Sequence, residues 1–137
     1  MDVVAVFEGL AEAASSIEGL RCSAFMPDSI SPPVFYPVEL EIDFDLSYGR
    51  GHDDFNPVVC RVLVPRSDDR SGQKLLQQYM KGAGPLSVKR ALEADRTLGG
   101  ACSSLHVAKV RGMGQYEHGV YDYIGADWLV RVIGRGD

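Results

Sequence analysis

No run of about 18 apolar residues occurs anywhere in the chain, and the N-terminus lacks the basic, apolar and small-residue succession of a secretory leader. The chain is therefore expected to be soluble, to have no membrane partner and to stay where it is made. Cysteine is scarce, odd in number and widely spaced, at Cys22, Cys60 and Cys102, with no CxxC. The three histidines, His52, His106 and His118, never fall at metal-ligand spacing with them. Buried, reduced thiols are the expectation, with no metal and no cofactor. Also missing are a nucleophile elbow, a P-loop, an HExxH helix and a zinc ribbon. Gly112 and Gly114 lack the third glycine and the following helix of a dinucleotide fingerprint. With every class of site chemistry absent together, the chain reads as a non-enzyme. The basic residues are scattered and form no aromatic-studded stripe, which disfavours a nucleic-acid-binding module.

What is present is a stretch of strict alternation, Val38-Glu39-Leu40-Glu41-Ile42-Asp43-Phe44-Asp45-Leu46. Period two is the signature of a half-buried strand, because successive side chains point to opposite faces. Val38, Leu40, Ile42, Phe44 and Leu46 are expected on a core, and Glu39, Glu41, Asp43 and Asp45 on the other face. Carboxylates in such a row stand roughly 7 Å apart and repel by about 0.6 kcal/mol per pair in water. Burial would multiply that cost, so the face is either wet or meets a basic partner. A solvated sheet face is the simpler reading and an acidic surface with a purpose the second; a shared hard cation is a minor third, since no Asp/Asn/Gly-rich loop of EF-hand type accompanies the row.

The net charge of −5 is unevenly divided: residues 1–65 carry eleven acids against three arginines, and residues 66–137 carry eight acids against eleven bases. Such a polar molecule suits heterologous packing of copies, acidic side to basic side. At 137 residues one domain over the whole chain is expected.

Taken in order, Asp2 caps a helix over about residues 3–18, with Gly19 as its stop. A strand over Leu20–Met26 follows, and then a loop holding Pro27, Pro32 and Pro33. The acidic strand leads into a long hairpin loop over about 47–56, with Tyr48, Arg50, His52, Asp53, Asp54 and Phe55 in it, and a return strand over Pro57–Val64. His52-Asp53-Asp54 is no convincing catalytic cluster, since adjacent loop residues do not converge without a scaffold. After a polar turn at 66–72 comes a helix with Leu75, Leu76, Tyr79 and Met80 on its apolar face. Ser87 caps a third helix from Val88 to about Asp95, and Leu98-Gly99-Gly100 releases the chain into a final sheet. There Arg111–Gln115 is expected to turn and residues 134–137 to fray. This succession predicts an α+β fold, a mostly antiparallel or mixed sheet packed with an N-terminal helix and two central helices.

One stretch carries a resemblance. The helix Gln73-Lys74-Leu75-Leu76-Gln77-Gln78-Tyr79-Met80 is followed by a Ser-x-Lys-x-Ala-Leu-x-x-Asp-x-Thr-Leu-Gly-Gly run, Ser87, Lys89, Ala91, Leu92, Asp95, Thr97, Leu98, Gly99 and Gly100. Together they resemble the tail terminator proteins of long-tailed actinobacterial phages, similar to the minor tail protein U family. The motif covers about a quarter of the chain, whereas the order of elements agrees along essentially the whole of it. The resemblance implies a structural virion protein at the tail-neck junction, made in the host cytoplasm. It implies a ring of copies, usually six, that caps the head-proximal end of the tail tube, ends its growth and meets the head connector. Its partners would be copies of itself, the tail tube protein and the connector protein, with genome DNA passing through the lumen without specific binding. Glu39, Glu41, Asp43 and Asp45 would then face the lumen or a neighbouring subunit, where carboxylates repel phosphate, and the 48–56 loop would reach a neighbour or the tube. A head-completion protein of the same neck is the alternative within this reading, and a small enzyme or binding module is the alternative of another class.

Overall fold

The computed structural model describes residues 1–44, 51–65, 69–118 and 121–136. Along the chain lie α1 (Val3–Ala14), β1 (Arg21–Cys22), β2 (Val34–Phe44) and β3 (His52–Val64). Then come α2 (Asp69–Met80), α3 (Val88–Glu93), a 3-10 turn at Leu98–Gly100, β4 (Ser104–His118) and β5 (Tyr121–Arg135). The strands form one mixed sheet in the order β1-β2-β3-β5-β4, parallel between β1 and β2 and antiparallel elsewhere. This is the expected α+β architecture.

Directly paired residues of an antiparallel sheet share a face, so the registers can be followed as rows across four strands. Pro37, Cys60, Trp128 and Val110 make one row, and Leu40, Val58, Val130 and Val107 make the next. These rows lie under the helices. Val6, Leu10 and Ala14 of α1, Leu76 and Tyr79 of α2, and Val88, Ala91 and Leu92 of α3 join them in one buried core. Interleaved on the opposite face are Tyr36, Arg61, Asp127 and Arg111, and then Glu39, Val59, Leu129 and Lys109. That face carries only a small cluster of Val34, Tyr36 and Leu63 with Ile30, Val38, Tyr116 and Tyr123 around it. All three helices therefore serve one side of the sheet, and the other side is bare of helices among the described residues, although Val59, Asp54 and Asp127 on it are buried.

Proline in the central strand β3 is resolved by a bulge. Both ladders step from Phe55 to Val58, opposite Ile42 and Leu40 on one side and Val132 and Val130 on the other. Asn56 and Pro57 are left out of the pairing, so the missing proline N–H costs no ladder bond.

Several sequence expectations shift. The first helix ends at Ala14, short of residue 18, because Ser15 and Ser16 donate their hydroxyls to the carbonyls of Glu12 and Ala13 and close the last turn. The first strand shrinks from Leu20–Met26 to two residues. Ser23 Oγ donates to the Phe25 carbonyl and accepts from the Phe25 N–H, which turns the chain away from β2. The second helix begins at Asp69, inside the stretch expected to be a polar turn, and the third ends at Glu93, short of Asp95. The turn expected at Arg111–Gln115 is absent: β4 runs through it, absorbing the glycines in a register shift between Arg111 and Gly114. Gly112 takes φ +71 there, and its carbonyl accepts the Tyr116 hydroxyl. The expected frayed end is ordered to Gly136, whose N–H donates to the Gly51 carbonyl at 2.7 Å.

Candidate functional site

The acidic strand is real, but its alternation slips. A bulge between Pro37 and Glu39 sends Val38 to the bare-face cluster, while Leu40 and Ile42 pack on the helix-side core. Phe44, expected on the core, is 70% exposed. Glu39, Glu41 and Asp43 are exposed as expected, and Asp45 and Leu46 lie outside the described residues. β1 covers β2 only at Val34 and Phe35. Beyond them no strand pairs with the outer side of β2 among the described residues. Pro37 suits such an edge, since it has no N–H to leave unpaired.

The second half of the expected long loop is strand. Tyr48 and Arg50 lie outside the described residues, whereas His52, Asp53, Asp54 and Phe55 begin β3. Phe55 is buried in the core between Ile42 and Val132. Asp54, 2% exposed, holds Arg131 through its two oxygens, with the shortest contact at 2.6 Å. Asp53 accepts the Met1 ammonium at 2.7 Å, and the same ammonium donates to the Arg135 carbonyl. Asp54 and Phe55 thus serve the inside of the molecule, not a loop tip.

Each member of the Ser87–Gly100 run that can be followed has a local task. Ser87, wholly buried, accepts from the Arg90 N–H as N-cap of α3 and donates to the Lys81 carbonyl at 2.6 Å. Ala91 and Leu92 supply the buried face of α3. Lys89 pairs with Glu93 one turn on at 2.6 Å. Asp95 accepts from the N–H and hydroxyl of Thr97 and from the Gly99 N–H, which holds its carboxyl below the ordinary carboxylate range. Leu98, Gly99 and Gly100 then follow one another at φ +50, +69 and +100. Two glycines make that left-handed passage cheap, while Leu98 accepts strain to bury its side chain against α1. There Gly9 leaves the room: a Cβ on it would stand 2.9 Å from the Leu98 Cβ.

Glu93 reaches further than its own helix. Its Oε2 accepts the Val107 N–H at 2.9 Å, and the Arg96 guanidinium donates to the Leu105 carbonyl at 3.4 Å. The first half of β4 therefore has its outer backbone occupied by side chains from the α3 end. Burial works to raise the Glu93 pKa, but Lys89, the Val107 N–H and Arg96 outweigh it and hold the carboxyl below its ordinary value.

Sequence reasoning missed the polar framework of the bare face. Arg61 grips Asp127 with two hydrogen bonds, at 2.8 and 3.1 Å, and lies 4.2 Å over the Tyr116 ring. The signal was a single arginine, Arg61, inside the apolar Val58–Val64 and two charged residues, Asp127 and Arg131, inside the apolar Ile124–Ile133. It also missed the apolar groove of ≈ 350 Å³ beside β2, lined by Val3, Val4, Phe7, Phe25, Met26 and Leu40 among others, with Phe25 and Met26 about three-fifths exposed. The thiols are free. Burial pushes Cys22 and Cys60 up to about 12 and Cys102 up to about 11. No group of three or more His, Cys, Asp or Glu among the described residues is placed to hold a metal, and no helix is long and apolar enough to cross a membrane. Compared with known proteins, the chain matches no family model and no curated protein.

Proposed function

We propose that the chain is a structural component of a phage neck, a ring-forming protein that caps the head-proximal end of the tail tube, ends tube growth and joins the tail to the head connector. The observation that carries the reading is the Ser87–Gly100 run, the part of the chain that resembles tail terminators. Its residues build a specific object, a capped helix and a left-handed turn fastened to α1 and β4. The exposed carboxylates of Glu39, Glu41 and Asp43 support the reading electrostatically. Repeated around a ring, they present a surface along which phosphate does not stick.

The test is the tail-length distribution, by electron microscopy, of particles assembled without this chain. Overlong, headless tails are the expected result. Tails of normal length that fail to join heads would move the protein to the connector side of the neck. Intact particles would overturn the neck assignment.

A further inference from the structure

The strand order separates charge across the molecule. At one border of the bare face stand Glu39, Glu41 and Asp43 on β2; at the opposite border stand Lys109 and Arg111 on β4. The separation is exact in register: the row Glu39, Val59, Leu129, Lys109 begins with a carboxylate and ends with an ammonium. The neighbouring row runs from the Tyr36 ring through Arg61 and Asp127 to the Arg111 guanidinium.

The interior charges of this face are matched, Arg61 with Asp127 and Arg131 with Asp54. Of the border charges, Glu39 and Lys109 stand beside apolar residues in their row and Asp43 beside Asp54, while Arg111 stands beside Asp127, a carboxylate already gripped by Arg61. Exposed apolar side chains follow the same division. Among the described residues the large ones are Val4, Phe25, Met26 and Phe44 on the β2 side, and Met113 and Tyr121 on the β4–β5 hairpin.

We infer that the occupant of the β2 border and its apolar groove is the β4 border of a second copy of this chain, in a head-to-tail contact that repeats. Three features argue for a copy. The two borders carry opposite charge. They run antiparallel to each other within one sheet, as successive strands of an extended sheet would. They also sit at opposite ends of the same row, so continuing the row sets Lys109 of the next copy beside Glu39, and its Arg111 beside the Tyr36 border position.

The contact is heterologous, since the two patches differ, and so leaves each added copy with one unused border of each kind. Side chains carry it. Glu93 and Arg96 already hold the backbone of Val107 and Leu105 and keep that part of β4 from forming a ladder. Closure of the series into a ring rests on the neck reading above; the pairing of borders does not.

Two charge reversals test it, Glu39→Lys with Glu41→Lys, and Lys109→Glu with Arg111→Glu. All four positions are exposed, so circular dichroism and melting should match the parent. Sedimentation of concentrated protein at low salt is the readout. The expected result is assembly by the parent, monomers from either variant alone, and assembly restored on mixing the two, because each reversed border then meets its complement. Assembly by either variant alone, or no recovery on mixing, overturns the pairing of these borders and leaves the neck reading to the tail-length experiment. A parent that stays monomeric at every concentration overturns it as well. Normal pairing with unchanged tail length would instead sink the neck reading and keep the contact.

Discussion

The two faces of the sheet are built on different rules from the same strands. On the helix side, Trp128, Cys60, Val58 and Val130 lie among side chains from all three helices, and cohesion comes from apolar area and close packing. On the bare side the strands keep order with a few directed contacts. Arg61 forks onto Asp127 under the Tyr116 ring, and Arg131 onto Asp54. The apolar cluster there is small and confined to one end. The difference teaches that a face left without a helix can still bury a carboxylate, provided an arginine on the next strand closes over it.

The largest effect is expected on the helix side. Trp128→Ala, at a wholly buried position, should cost about 3–5 kcal/mol in denaturant unfolding. Trp128→Phe should cost clearly less, because the buried indole N–H has no acceptor among the described residues and no hydrogen bond is lost with it. Equal losses would mean that the indole does more than fill space.

On the bare side a smaller loss is expected from Arg131→Met, about 2 kcal/mol, below the range for a fully buried pair because the arginine is two-fifths exposed. Adding Asp54→Asn should return part of it, since the penalty comes from the carboxylate left behind. Were the bare side held by apolar packing like its opposite, the first change would be nearly neutral, and a double-mutant cycle would find no coupling.

The smallest effect is one of pH. Glu93 is held below its ordinary value of about 4.5 in the folded chain, because Lys89, the Val107 N–H and Arg96 outweigh the effect of its burial. Its contribution is therefore complete above about that pH and lost as pH falls through the lower folded value. Melting of the parent should decline over that acid range, and Glu93→Gln should flatten this part of the decline. An unchanged profile would remove Glu93 as the tie between α3 and β4.

Much of the architecture was legible because local chemistry and tertiary structure agree. Asp2 and Ser87 cap the helices that their positions announce, and the helix-strand succession gives the fold class. What failed did so where pairing overrides pattern. Perfect alternation in Val38–Leu46 concealed the bulge that moves Val38 to the other face, because a bulge is set by the partner strand. Gly112 and Gly114 look like a turn and instead sit within a 15-residue strand whose partner continues past them. His52–Asn56 reads as loop by composition, yet Asp54 is strand-borne because Arg131, 77 residues away, answers its charge. The acidic border was visible in the sequence. Its basic counterpart on β4 was not, since only the strand order sets Lys109 and Glu39 at the two ends of one row.

Cys60 stands in the middle strand, wholly buried beneath the helices and directly across from Trp128. With its thiol pushed up to about 12 by burial, the folded chain offers almost no thiolate to an alkylating reagent at neutral pH. Labelling at that position must wait for β3 to part from its neighbours. The sulfur is thus a clock for rare openings of the sheet, supplied by the chain itself and readable without any substitution.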